Sequence, residues 1–372
     1  MTQLYDIETP AAIVDLDRLE RNLDRAAAYA TAHGLALRPH VKTHKTGWIA
    51  AEQMKRGARG VTCATPREAE VMSAVSRDIL VAYPPVGSAR AGRIAGLARD
   101  ARVIVALDSA EAIDQIERAA AGAKRTVGVY VEIDMGMHRV GVRDAAAAIT
   151  LAKRVQQSAS LTYEGIAFYP GHIRESVGAQ DGAIENLNGV LKTTIDALAE
   201  AGAAPSAVSG GSTPTLWHTH RLHGVTEMRP GTYVYNDRTT AEIGACEWSD
   251  CALTVLATVV STAVDGQAVI DAGTKALGRE PMRGADGSGG FGSLLEHPEV
   301  IVKGMSEEHG LLDLARSAWR PRVGEIVRVI PNHVCIVVHL NDTMHGVRGN
   351  VLERSWPVEA RGRAPLSTRT AG

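Results

Sequence analysis

From about residue 10 to 235, short apolar runs alternate with longer stretches in which apolar residues recur every third or fourth position. Short aliphatic runs read as strands buried on both faces, and the three-and-four spacing lays one apolar stripe along a helix. The pattern predicts strands at Leu35–Val41, Gly60–Ala64, Ile79–Ala82, Val103–Leu107, Val127–Ile133, Tyr163–Phe168, Ala207–Gly210 and Thr226–Arg229. It predicts helices at Leu16–His33, Arg67–Val75, Ala110–Ala120, Ala145–Gln157 and Ala183–Ala201. Eight strands alternating with helices point to an α/β fold of (β/α)8 TIM-barrel type, with its active site on the loops that follow the strands.

Beyond Asn236 the helical spacing gives way to β-branched runs at Cys251–Val260, Ala268–Ile270, Glu325–Ile330 and Val334–Leu340. A smaller, mainly β C-terminal domain is expected there. The chain is accordingly divided into a barrel domain, residues 1–238, and a β-rich domain, residues 239–372. Asp286–Ser293 has the glycine content of a phosphate loop, but with no strand before it and no helix pattern after it, it reads as a flexible surface loop. The tail from Ala360, rich in Arg, Pro, Ser and Thr, is expected to fray.

Charge narrows the range of partners. Forty Lys and Arg against 42 Asp and Glu leave a formal net charge of −2, too weak a field to draw nucleic acid or an anionic membrane. A small-molecule partner fits better. No apolar run reaches the roughly eighteen residues of a membrane span, and the N-terminus lacks a cationic stretch followed by an apolar one, so a cytoplasmic protein is expected. Cys63, Cys246, Cys251 and Cys335 are too scattered for a disulfide framework and are expected to be reduced.

The chemistry sits at the predicted strand ends. Arg38-Pro39-His40-Val41-Lys42-Thr43-His44-Lys45 brings five basic or imidazole side chains together after the first strand. A lysine amine becomes a nucleophile when neighbouring cations or burial disfavour its charged form, although a solvated basic turn has the same composition. The fifth strand ends in Glu132-Ile133-Asp134 and leads to His138 and Arg139; the sixth ends in Phe168 and leads to Tyr169 and His172. Ser209-Gly210-Gly211-Ser212-Thr213-Pro214-Thr215 and Arg229-Pro230-Gly231-Thr232-Tyr233 offer backbone N–H groups beside hydroxyls, as a phosphate requires. A reactive lysine with a phosphate cradle on such a barrel suggests either pyridoxal phosphate held as a Schiff base or a phosphosugar aldolase using the lysine directly. Further on, His333 and Cys335 lie two apart on a predicted strand, on one face, as half of a site for zinc or a similar metal. A buried cysteine beside a structural histidine would give the same pair.

Arg38–Lys45, Met135–Gly141, Ser209–Thr215, Ser306–Gly310 and Pro331–Cys335 together resemble the D-threonine aldolase and D-serine dehydratase family, over about Thr9 to Asp342. The resemblance implies the alanine-racemase-like barrel of pyridoxal-phosphate enzymes. It implies that Lys42 forms the Schiff base, with Lys45 as a supporting cation, and that Arg139 lies near the cofactor's phenolic oxygen. Gly211, Ser212, Thr213, Gly231 and Thr232 would cradle the phosphate, with Tyr169 and Tyr233 also at the cofactor, and Arg229 would face the pyridine nitrogen. His333 and Cys335 match the family's metal pair for one divalent ion, zinc or else manganese, magnesium or cobalt. The reaction implied is cleavage of a β-hydroxy-D-α-amino acid, with His172 as first choice of base and His138 as second. Aldol cleavage of the D-threonine type leads, D-serine or 3-hydroxy-D-amino acid dehydration follows, and a racemase or a non-catalytic cofactor carrier ranks below both. A His-x-Cys pair, where several aldolases of the family have His-x-Asp, favours zinc and the dehydratases. The family also implies a homodimer with the active site at its interface.

Overall fold

The computed structural model describes residues 2–282 and 289–365. The chain forms two compact units, Asp24–Gly231 with the segment from Glu359, and the residues up to Leu23 with Thr232–Val358. In chain order come β1 (Ala11–Asp15), α1 (Leu16–Ala32), β2 (Ala36–Leu37), α2 (Gly47–Lys55), β3 (Val61–Cys63), α3 (Pro66–Met72), β4 (Asp78–Val81), α4 (Ser88–Ala95), β5 (Arg102–Leu107), α5 (Ala110–Gly122), β6 (Val127–Ile133), α6 (Ala145–Gln156), β7 (Leu161–Phe168), α7 (Asp181–Glu200), β8 (Ala207–Gly210) and β9 (Glu227–Met228).

In the first unit β2 to β9 form one eight-stranded sheet, ordered β2-β9-β8-β7-β6-β5-β4-β3, and every pairing is parallel. The free edges meet. Arg59 N–H donates to the Leu37 carbonyl at 2.8 Å, Thr62 N–H to Pro39 at 2.9 Å, and Val41 N–H to Thr62 at 2.9 Å, with a parallel bridge between His40 and Thr62. The predicted barrel is therefore present and closed. The predicted first strand, Leu35–Val41, is regular only over Ala36–Leu37, because Pro39 has no N–H to carry the ladder onward.

Alternation along the strands sorts the core. Ile79, Val81, Val103, Val105, Val129, Val131, Ile166 and Phe168 pack outward with the helices, while Leu80, Ile104, Ala106, Tyr130, Ala167 and Ala207 fill the interior. Part of the barrel interior is ionic. Arg38, fully buried, donates from Nε to Glu227 at 2.7 Å and from Nη1 to Asp78 at 2.7 Å. Asp78 also pairs with Arg102 at 2.8 Å, Arg102 with Glu164 at 2.5 Å, and the Ser209 hydroxyl donates to Glu227 at 2.6 Å.

The second unit adds α8 (Arg238–Glu242), β10 (Leu253–Ser261), β11 (Gln267–Ile270), α9 (Thr274–Leu277), β12 (Gly292–Leu294), β13 (Val302–Met305), β14 (Gly310–Asp313), β15 (Ile326–Pro331), α10 (Val334–Leu340), β16 (Thr343–Arg348) and β17 (Val351–Pro357). Its sheet runs β13-β14-β11-β10-β1-β16-β17, with β15 paired to β10 and β12. β1 is antiparallel to β10, with Ala12 opposite Val255, and parallel to β16, with Val14 opposite Gly346. Both its edges are thus satisfied by the C-terminal β region. A single cut between residues 238 and 239 does not describe this grouping, since the first residues join that region.

One expectation is overturned. Val334–Leu340 is a helix, not a strand. Its β-branched composition favours a strand, but Val334, Val337 and Val338 are the buried positions, and that spacing puts them on one helical face. His333 has an extended backbone, φ −145° and ψ 110°, and is the N-cap. Of the glycine-rich stretch read as a surface loop, residues 286–288 lie outside the described residues, as does the end of the tail from 366 onward. Among the described residues no helix is long and apolar enough to cross a membrane.

Replacing Arg38 by Met keeps much of its volume but leaves the Glu227 carboxylate buried without its cation. Loss of about 3–5 kcal/mol of stability is expected, read by chemical denaturation against the wild type.

Candidate active site and metal pair

The ends of β2, β6, β7, β8 and β9 form one mouth of the barrel, where parallel barrels carry chemistry. The octapeptide after β2 is not uniformly basic. Lys45, in the left-handed region at φ 55°, places Nζ 2.5 Å from the buried Glu68 carboxylate. His44 is buried, accepts from Thr46 N–H at 3.2 Å and meets Gln53 at 3.2 Å; burial pushes its imidazole down to about 3. Lys42 alone of the two lysines keeps a half-buried amine with no hydrogen bond or ion pair among the described residues.

Around it the charges are arranged by burial. The His40 imidazole is pushed well below its ordinary range by burial first, then by Lys42, Arg229, Lys45 and Arg139, so it is neutral. Glu132 points into the barrel from β6 and is 7% exposed. Burial raises its carboxyl, and Arg229 and Arg139 oppose that. Arg229, also 7% exposed, donates from Nη2 to the Phe168 carbonyl at 2.7 Å, while its Nε is buried without a partner. The Arg139 guanidinium lies over the Tyr169 ring, 4.9 Å from its centre. Asp108, Asp134, His138, Arg139 and Arg143 line a cavity of about 550 Å³ at this mouth.

The predicted anion-binding turns follow β8 and β9. Gly211 has φ 94°, which only glycine adopts without strain. Ser212 and Thr213 are buried, with the Ser212 hydroxyl 3.0 Å from that of Thr215. A Cβ on Gly231 would stand 2.9 Å from Thr43 Oγ1 and 3.1 Å from the His40 carbonyl. Thr232 and Tyr233 follow directly, in a 3-10 turn over Thr232–Val234. Of the two histidines considered as bases, His138 is bound through Nδ1 to Asp134 at 2.9 Å, with its side chain 85% exposed. His172 is exposed after β7, with its ring next to Gly136, whose Cβ would lie 3.1 Å away.

This mouth fits pyridoxal phosphate. An unpaired lysine amine, an arginine Nε without a partner, and a positive field beside glycine-lined turns match an aldehyde, a ring nitrogen and a phosphate. In the other unit His333 and Cys335 straddle the start of α10. The Cys335 thiolate first, against burial, and then Asp237 hold the His333 imidazole up at about 11. An imidazole and a thiolate side by side suit zinc. Among the described residues no group of three or more His, Cys, Asp or Glu converges as a complete ligand set, so these two would leave further positions for water and substrate. The Tyr235 hydroxyl in the same unit is buried without a partner; burial and then the Cys335 charge keep its phenol protonated.

Two side chains escaped sequence reasoning. Arg38 was read as one of the basic cluster, yet it is turned into the barrel. Asp237, buried, reaches His333 Nδ1 at 3.0 Å; the Asp-Arg-Thr-Thr run marks it as a helix cap, but nothing local points to a residue 96 positions on.

Residues 14–239 match the family described as alanine racemase, N-terminal domain, and residues 252–347 match a serine dehydratase domain. The D-threo-3-hydroxyaspartate dehydratase of Delftia sp. strain HT23 is 34% identical over 351 residues, 89% of this chain and 92% of that protein. The crystal structure of D-threonine aldolase from Filomicrobium marinum superposes with a TM-score of 0.88 at 33% identity, covering 96% of this chain and 97% of that one. A variant of a D-threo-3-hydroxyaspartate dehydratase, solved in a metal-free form, superposes at 0.87 with 30% identity, covering 98% and 100%.

Gly231→Ala should raise the dissociation constant for pyridoxal phosphate about tenfold, since the added methyl overpacks the turn by about 1–3 kcal/mol. Titration of the apoprotein with the cofactor reads this directly.

Proposed function

This chain belongs to the D-threonine aldolase and D-serine dehydratase family of alanine-racemase-like, pyridoxal-phosphate-dependent lyases, and from that premise we propose that it is a metal-assisted aldolase of β-hydroxy-D-α-amino acids, of the D-threonine type. The observation that carries the reading is the free amine of Lys42 in a mouth where Arg229 has an unsatisfied Nε and Lys45 is already paired. Bound there, pyridoxal phosphate supplies an electron sink for bonds at Cα, and a divalent ion, zinc ahead of manganese, magnesium or cobalt, supplies a Lewis acid for the hydroxyl.

The roles of the side chains follow from their chemistry. Lys42 would hold the cofactor's aldehyde, and its amine could serve as a base toward bound substrate. Gly211, Ser212, Thr213, Gly231 and Thr232 would hold the phosphate, with Tyr169, Tyr233 and Arg139 as further cofactor-binding residues. Arg229 can only donate, so facing a pyridine nitrogen it would favour the unprotonated form. His333 and Cys335 would hold the metal. His172 would take the proton of the substrate hydroxyl; His138, tied to Asp134, is the second choice. The reading includes a homodimer, as the family implies, checked by light scattering.

The second reading is dehydration to a keto acid and ammonia. It is favoured by the thiolate in the metal pair and by the 34% identity to a dehydratase. D-threonine decides between them: acetaldehyde with glycine is the expected product, and 2-oxobutanoate with ammonia would replace the aldolase by a dehydratase. His333→Ala should abolish turnover with the cofactor's absorbance band retained. Activity surviving that change and a chelator, with L- and D-alanine interconverting, would mark a racemase instead. His172→Ala should lower kcat by about 10²–10⁴ with the same band intact.

A further inference from the structure

We infer that Asp237 is the positioning residue of the metal pair, a single buried carboxylate that fixes which ring nitrogen His333 presents and where the helix carrying Cys335 begins. The inference rests on His333 and Cys335 being the metal ligands.

Asp237 is fully buried, and each of its oxygens has two partners. Oδ1 accepts from Thr240 N–H at 2.9 Å and from the Thr240 hydroxyl at 3.0 Å. Oδ2 meets His333 Nδ1 at 3.0 Å and accepts from Val334 N–H at 3.3 Å. A carboxylate only accepts, so Nδ1 carries the proton and Nε2 is the nitrogen left for a metal. The same oxygen caps α10 from outside, because His333, its N-cap, makes no side-chain cap of its own. Cys335 is the second residue of that helix. Its placement therefore depends on the N–H that Asp237 holds.

The neighbouring bonds support the same turn. Thr239 donates its hydroxyl to the Asn332 carbonyl at 2.7 Å, and the Asn332 amide donates to the Glu280 and Gly290 carbonyls at 3.0 and 2.8 Å. Residues 332, 333 and 334 are thus each tied to the start of α8, and Asp237 makes two of the three ties. With both oxygens engaged, Asp237 orients a ligand and does not serve as a third one.

Asp237→Asn disturbs both roles at once. To keep the Thr240 bonds the amide oxygen must face Thr240, which turns the NH2 toward His333 and Val334. The imidazole must then accept at Nδ1 and carry its proton on Nε2, where it cannot ligate. The Zn²⁺ dissociation constant, measured on the full-length protein by chelator competition, should rise about 10–100-fold, with the cofactor's absorbance band unchanged. Thr240→Val removes the hydroxyl bond to Oδ1 and keeps the backbone N–H bond, so it should leave the Zn²⁺ constant unchanged while lowering thermal stability. Equal Zn²⁺ affinity in Asp237→Asn and wild type, alongside loss in His333→Ala, would overturn the inference and leave the metal pair standing. Absence of Zn²⁺ binding in the wild type would instead remove the metal pair itself. If Asp237→Asn does not fold, ¹⁵N spectra of histidine in the Zn²⁺-loaded wild type decide: metal on Nε2 with a proton on Nδ1 is expected, and metal on Nδ1 would overturn the inference.

Discussion

The Arg38–Glu227 pair is the constraint on which the barrel mouth depends. Both side chains are fully buried, and neither charge is tolerable there alone, so the two strands that carry them are held in one register. Lys42 lies four residues beyond Arg38, and Arg229 two beyond Glu227. Ser209, which bonds to the same Glu227 carboxylate, precedes the Gly211 turn by two. One ionic cluster inside the barrel therefore aligns Lys42, Arg229 and the Gly211 turn. Asp78, Arg102 and Glu164 extend it across β4, β5 and β7. Apolar packing alone would allow more slippage, since Leu, Ile and Ala are satisfied by many neighbours, whereas a buried charge is satisfied by few.

At the barrel mouth the same physics is used in reverse. Arg229, Arg139 and Lys42 are gathered around a neutral imidazole and one reluctant carboxyl, Glu132. The cations outnumber the anions that answer them, and Arg229 Nε has no answer at all. An anionic, ring-bearing ligand relieves that imbalance. The lysine that pairs with Glu68 stays out of it, so two lysines three residues apart differ in their partners.

The β-rich unit handles its charge pair by a different device. Its histidine and cysteine are placed by the N-terminal turn of a seven-residue helix, and that turn is held by a carboxylate nearly a hundred residues earlier in the chain. The unit also takes in β1, whose two edges pair with β10 and β16. The N-terminal strand and the C-terminal strands thus contribute to one sheet.

Much of this was legible in the residues themselves. Alternating aliphatic runs and helical stripes report directly on what is buried, so the (β/α)8 barrel, the β-rich region after it, and the residue types at each strand end follow from local pattern. What tertiary structure decided were the matters that depend on a distant partner. Which of Lys42 and Lys45 is free depends on Glu68; whether Arg38 faces the ligand or the core depends on Glu227 and Asp78. Val334–Leu340 is a helix because its buried positions are spaced three and four apart, although its composition favours a strand. His333 is oriented by Asp237, and β1 belongs to the far end of the chain because its edge hydrogen bonds are met there. Local sequence encodes propensity and periodicity, whereas pairing of charges and backbone edges is settled only when the chain has closed on itself.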